Sequence, residues 1–244
     1  MKSLLLMITY FTRIRIKYNH EYKDSDFIKG IKLFPIIGLI IGFIMYIPVF
    51  LKDIIHIPVI VLFSWLIYIW ITGGLHIDGL GDTFDGIFSN RDKSRILEIM
   101  RDSRIGTFGV LGIILLIIWN LVLTYYIDLR LLIIVPVVGR SAAILSAAAS
   151  KYAREGQGMG KAFIENCRQR EVVYSLIFVI GLSFIIGYPV SLIALLPTLA
   201  LVLSITKYIN NKIGGSTGDT IGFIIEISQS VFILFTYIIK GIIG

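Results

Sequence analysis

Residues 57–86, IPVIVLFSWLIYIWITGGLHIDGLGDTFDG, run from an unbroken apolar stretch straight into a glycine-rich segment carrying Asp78, Asp82 and Asp85. A bilayer core about 30 Å thick needs roughly 20 mostly apolar residues for one helical crossing. Residues 57–77 supply them. Carboxylates therefore gather where a membrane helix ends, and this junction bears on both fold and chemistry.

Working outward, the rest of the 244-residue chain is equally apolar: 56% of its residues are hydrophobic, 16% are charged, and the mean hydropathy is +0.86. Six more runs long enough to cross lie at about 33–51, 107–127, 131–150, 172–188, 189–206 and 219–243. The fold class expected is an all-α, polytopic membrane helix bundle with about seven transmembrane helices, forming a single integral-membrane domain over 1–244. The fifth and sixth runs are short and meet at Tyr188-Pro189. The N-terminal SLLLMITYF is too short to span and lacks the small-residue cleavage site of a signal peptide after it, so it is read as a membrane-surface or re-entrant helix. One cysteine, Cys167, makes no internal disulfide and no metal framework. The formal charge of +7 has no soluble basic domain behind it, which argues against nucleic acid as a partner. His20 and His56 fall in loops and receive no role.

Lysines and arginines divide unevenly between the two sides. The segments before Phe34, and those at 91–104, 151–170 and 207–212, carry nearly all of them, whereas the opposite side holds Lys52, Arg130 and Lys240. Cytoplasmic loops retain positive charge, so the rich side is expected in the cytoplasm. Three polar, glycine-containing segments, 73–106, 154–170 and 214–219, then face the same way. The expectation is a multi-pass protein of the cell membrane, in contact with lipid, whose active site is built from these loops at the cytoplasmic face.

If a helix continues through Gly86, Asp78 and Asp82 lie about 40° apart around it and Asp85 returns to within about 20° of Asp78. Like charges on one stripe repel, and three hard oxygen donors favour Mg²⁺, Mn²⁺ or Ca²⁺ over zinc. Gly79, Gly81 and Gly86 weaken the helix but remove bulk beside the carboxylates, as the close approach of a large ligand requires. Mg²⁺ held by carboxylates keeps positions open for phosphate oxygens. Arginines suited to an anionic substrate are Arg101 and Arg104 in MRDSRIGTFG, Arg154 in REGQGMGKAF, and Arg140. Arg140 lies inside the fourth span, in VVGRSAAILSAAAS, where a charge needs a partner. That partner is either an anionic substrate or Glu226, stranded in the seventh span. In GGSTGDTIGFIIEISQ, the turn Gly214, Gly215, Ser216 and Thr217 before a helix start suits an anion, while Asp219, seven residues before Glu226 and on the same face, reads equally as an ordinary helix cap. His76 stands nearly opposite Asp78 and is expected to hydrogen-bond rather than to ligate.

Five segments in order, GGLHIDGLGDTFDG, MRDSRIGTFGVLG, GRSAAILSAAA, REGQGMGKAF and GGSTGDTIGFIIEISQ, together with the opening YFTRIRI...FPIIGLIIG, resemble the cobalamin synthase family, the adenosylcobinamide-GDP ribazoletransferases of vitamin B12 assembly. The resemblance spans nearly the whole chain. It departs at RIRIKY, where family members often have proline soon after the arginine. It implies that adenosylcobinamide-GDP is joined to α-ribazole or α-ribazole 5′-phosphate with release of GMP and with Mg²⁺ as cofactor. On this basis the metal role falls to Asp78, Asp82 and Asp85, and further to Asp102 and Asp219. Asp85 and Arg140 are the catalytic candidates, Asp85 as acceptor of the hydroxyl proton. His76, Arg101, Arg104, Arg154, Lys161, Gly214, Gly215, Ser216, Thr217 and Glu226 are expected to bind substrate. A homo-oligomer is compatible with this reading.

Two rivals are weaker. A CDP-alcohol phosphotransferase shares the look of DTFDG, but no Ala-Arg pair follows Gly86 and the later acidic pair is replaced at best by Glu98 and Asp102. A transporter would place its polar residues near the midplane and often show inverted repeats, whereas here they gather at one face.

Overall fold

A computed structural model of the chain describes residues 2–16, 23–186 and 188–243. The last two residues of the RIRIKY segment, 17 and 18, and His20 lie outside the described residues. Among the described residues twelve α-helices follow one another: α1 (Lys2–Phe11), α2 (Asp24–Gly30), α3 (Phe34–Tyr46), α4 (Ile57–Thr72), α5 (Leu75–Phe88), α6 (Lys93–Ile99), α7 (Thr107–Tyr126), α8 (Leu131–Ala148), α9 (Met159–Asn166), α10 (Gln169–Ile186), α11 (Pro189–Ile213) and α12 (Gly218–Ile243). Six stretches are long and apolar enough to cross a membrane: Asp24–Leu51, which contains α2 and α3, together with α7, α8, α10, α11 and α12. The α4–α5 pair makes a seventh if it is counted as one bent span. An all-helical, multi-pass architecture is thus what the hydropathy requires, since a backbone in lipid must satisfy its own hydrogen bonds.

The second span departs from the expected boundary. Instead of continuing to residue 77, α4 stops at Thr72, and the chain turns by 88° into α5. Two successive glycines cause the turn: Gly73 and Gly74 have φ of 67° and 73°, a left-handed conformation that side chains resist. After it, α5 does run as one helix through Asp78, Asp82 and Asp85.

At the centre stands α8, whose side chains from Leu131 to Ile144 are all buried. Helix α3 meets it through Gly38 and Gly42: a β-carbon on Gly38 would stand 2.6 Å from the Pro136 carbonyl oxygen, and one on Gly42 would collide with the Ile133 carbonyl. Two glycines four apart let backbones touch, the usual basis of helix association in lipid. Outer helices instead turn large apolar side chains outward, such as Leu115 on α7 and Phe184 and Ile185 on α10.

The helix α12 packs across α5 by the same device. A β-carbon on Gly79 would stand 2.8 Å from the Asp219 carbonyl oxygen, and one on Gly222 would stand 3.2 Å from that of His76. This crossing brings the acidic helix against the start of α12.

Candidate active site

The three polar segments meet at one end of the bundle. Arg154, in the loop before α9, forms a 2.7 Å ion pair with Asp219 at the start of α12. Its Nη2 also donates to the Met100 carbonyl oxygen at 3.2 Å, in the loop that follows α6. Ser216 and Tyr152 form a short parallel bridge, with Ala153 N–H donating to Ser216 O and Ser216 N–H to Lys151 O. Convergence of 73–106, 154–170 and 214–219 was the expectation drawn from the charge bias, and these contacts meet it.

Around this point the charges that act on Asp82 are the carboxylates of Asp219, Asp78 and Asp85, and the guanidinium of Arg154. Carboxylates thus outnumber the cation that answers them. Among the described residues no three acidic, imidazole or thiol side chains are gathered as one ion would require. The donor set nonetheless suits a hard divalent cation, being made of carboxylate oxygens with negative charge in excess.

Asp85 has different neighbours from its helix mates. A helix rises about 1.5 Å per residue, so Asp85 lies about 10 Å along the axis from Asp78. Its two carboxylate oxygens accept from the backbone N–H groups of Gly106 (2.6 Å) and Gly109 (2.8 Å), at the start of α7. Glycine at 109 is required by this approach: a β-carbon there would stand 2.9 Å from the Gly81 carbonyl oxygen. On the same helix as Asp78 and Asp82, Asp85 thus commits both its oxygens to the start of α7.

Asp102 stands apart on the exposed loop after α6, held by Arg104 through two side-chain contacts of 3.0 and 2.8 Å. Hydrogen bonds from the Arg104 side chain and backbone hold its carboxyl down at about 2. Asp102 and Arg104, paired with each other, line a second cavity with Asp85 and are absent from the lining of the one that holds Asp78 and Asp219. Arg101 is exposed on the same loop, and Lys161 is partly buried on α9.

The glycine turn before α12 is occupied by the fold itself. Gly214 caps α11 in the left-handed conformation (φ 77°), and its N–H donates to Asn210 O. Thr217 and Thr220 bond reciprocally, Thr217 N–H to Thr220 Oγ1 at 2.8 Å and Thr220 N–H to Thr217 Oγ1 at 3.2 Å. Gly215 lies against the Lys151 backbone. The N–H groups of Gly214, Ser216 and Thr217 are therefore committed within the protein rather than offered to an anion.

Deeper in the bundle, Arg140 is fully buried. Its Nη1 lies 3.5 Å from Tyr68 Oη and from Pro136 O, while Nε and Nη2 have no hydrogen-bond partner. Tyr68 Oη donates to Glu226 Oε1 at 2.6 Å and accepts from Gln229 Nε2 at 2.8 Å. Tyr68 and Gln229 went unnoticed in the sequence, where a tyrosine within an apolar run and a glutamine three residues after Glu226 were the available signals.

A cavity of about 180 Å³ opens beside the acidic cluster, lined by Asp78, Asp219 and His76 and walled by aromatic rings from α1, α2, α3 and α9. His76, on α5, is 6% exposed and its Nε2 has no hydrogen-bond partner. Arg140 is not among the residues that line this cavity.

The family model described as Cobalamin-5-phosphate synthase matches residues 3–237. The chain belongs to that family. Its similarity to relatives named adenosylcobinamide-GDP ribazoletransferase runs nearly the full length. An adenosylcobinamide-GDP ribazoletransferase of Alkaliphilus oremlandii is 53% identical over 243 residues, covering 100% of both chains. Those of Clostridium acetobutylicum and Acetivibrio thermocellus are 45% and 39% identical, covering 97% and 98% of this chain and 96% and 99% of theirs. No solved structure matches the chain. Within the family the chain is a transferase of cobalamin biosynthesis with a membrane-spanning helical body.

Proposed function

We propose that this chain joins adenosylcobinamide-GDP to α-ribazole or α-ribazole 5′-phosphate, releasing GMP, at the cytoplasmic face of the cell membrane. The observation that carries the reading is the meeting of Asp78, Asp82, Asp219 and Arg154 at the one end of the bundle where three polar loops converge. Full-length relatives that bear the ribazoletransferase name support it. The Lys and Arg bias supports the orientation.

In the reaction an α-ribazole hydroxyl oxygen bonds to the phosphorus that carries cobinamide. The bond from that phosphorus to the bridging oxygen breaks, and GMP departs with that oxygen. Arg154 is placed to hold non-bridging phosphate oxygens, with Asp219 fixing its guanidinium. Arg101, adjacent in sequence to Met100, whose carbonyl Arg154 grips, and Lys161 on α9 are the further cations offered to the diphosphate. Mg²⁺, held by Asp78, Asp82 and Asp219, would neutralise charge that develops on the diphosphate. The hydroxyl proton passes to Asp78, which lines both the cluster and the cavity beside it. Asp85, with its oxygens bonded to the Gly106 and Gly109 amides, fixes α7 against α5 instead. Arg140 supports α8 and α12 from within.

The test is GMP release from adenosylcobinamide-GDP by the purified protein in liposomes. Release is expected with α-ribazole and Mg²⁺ together. Uptake of a solute without GMP release would mark a transporter, and release of CMP from a CDP-alcohol would mark the phosphotransferase rival.

A further inference from the structure

Extending this reading, we infer that the aromatic cavity beside Asp78 and Asp219 seats the bicyclic base of the α-ribazole acceptor, and that His76 Nε2 donates to its free ring nitrogen. The inference rests on the proposed reaction.

The cavity has two unlike kinds of lining. Tyr10, Phe11, Phe27, Phe34 and Phe163 supply aromatic wall, and Asp78 and Asp219 supply carboxylates. Ring geometry in the aromatic wall is tight: Phe11 and Phe34 lie 4.6 Å apart, Phe34 and Phe163 5.3 Å apart at 71°, and His76 is stacked on Phe11 at 6.0 Å and 29°. Such a wall favours a flat aromatic guest, by offset or edge-to-face contact. Its volume of about 180 Å³ compares with the roughly 150 Å³ that suffices for benzene in an engineered cavity. A bicyclic base fits that scale and a corrin does not.

His76 decides among the aromatic groups of the substrates. A buried polar atom without a partner is costly, so Nε2 calls for one. Guanine and adenine carry exocyclic and ring groups along several edges, and burying them against this wall would leave most unsatisfied. The benzimidazole of α-ribazole has one ring nitrogen bearing the sugar and one with a free lone pair. That lone pair matches the one buried polar side chain in the wall. With the base so held, its ribose extends toward Asp78 and Asp219, where the diphosphate is attacked. Helix α1, too short to span, thereby gains a role, since Tyr10 and Phe11 close the cavity.

Two measurements test this. The first compares α-ribazole with the matching indole riboside, which has CH in place of the free ring nitrogen. Wild type should prefer α-ribazole by about tenfold in kcat/KM, the worth of one hydrogen bond, and His76→Phe, which keeps the ring but lacks the donor, should lose that preference. An undiminished preference in His76→Phe overturns the assignment. The second needs no turnover and no change at His76: the thiol of Met159→Cys, lining the cavity, is alkylated with a small maleimide, with buried Cys167 in wild type setting the background. α-Ribazole with GMP and Mg²⁺ should slow the reaction several-fold. Unchanged alkylation in a preparation that releases GMP normally places the acceptor elsewhere, whereas absence of GMP release in wild type defeats the underlying reaction itself.

Discussion

Arg140 and Glu226, both buried in the bundle, meet through the hydroxyl of Tyr68, which lies 3.5 Å from Arg140 Nη1 and 2.6 Å from Glu226 Oε1. The guanidinium also lies 5.7 Å over the Tyr68 ring, a cation–π distance. A direct ion pair, one of the two roles open in the sequence, is thus replaced by a bridged one. Removing one member of such a pair strands the other, at a cost of about 3–5 kcal/mol. Arg140→Gln is expected to lower the melting temperature sharply in detergent, and adding Glu226→Gln should restore it. Because Arg140 does not line the cavity, most turnover should return with stability. A stable but inactive double mutant would instead mean that Arg140 reaches the diphosphate.

The carboxylates of α5, together with Asp219 at the start of α12, should separate by phenotype. Asp78→Asn, Asp82→Asn and Asp219→Asn are expected to keep the fold and lose at least about 100-fold in kcat, the scale of removing one electrostatic stabiliser. Asp85→Ala removes the acceptor for two α7 amides and should destabilise by about 1–2 kcal/mol. Thermal unfolding beside GMP release distinguishes the groups, and an Asp85→Ala protein of wild-type stability would contradict its capping role.

Much of this was legible because hydropathy and charge are local properties. Six of the seven expected crossings coincide with stretches long and apolar enough to span, 57–77 being the exception, and the three polar segments read from the charge bias touch one another. What period alone could not reveal was which partner each carboxylate meets: seven residues carry Asp85 away from Asp219 and onto α7. Gly73 and Gly74 fall inside a run that hydropathy reads as one crossing to residue 77, yet their left-handed backbone turns the chain by 88°. The aromatic cavity draws its walls from helices distant in sequence, so no motif announced it. Gly38 and Gly42, spaced four apart, were an available sign of the α3–α8 contact.

Orientation is open to labelling in intact cells. Arg91→Cys and Arg130→Cys place exposed thiols on opposite sides of the bundle, with buried Cys167 as background. A membrane-impermeant maleimide should modify position 130 and spare position 91 until the cells are opened. The opposite pattern would put the acidic cluster outside.

Mg²⁺ dependence of GMP release in wild type and Asp82→Asn tests the acidic cluster as the catalytic centre. Wild type should be inactive in EDTA and recover with Mg²⁺. Asp82→Asn should need more Mg²⁺ and reach at most about a hundredth of the rate, since a charged ligand has become neutral without change of shape. Wild-type turnover by Asp82→Asn, at unchanged Mg²⁺ demand, would contradict it.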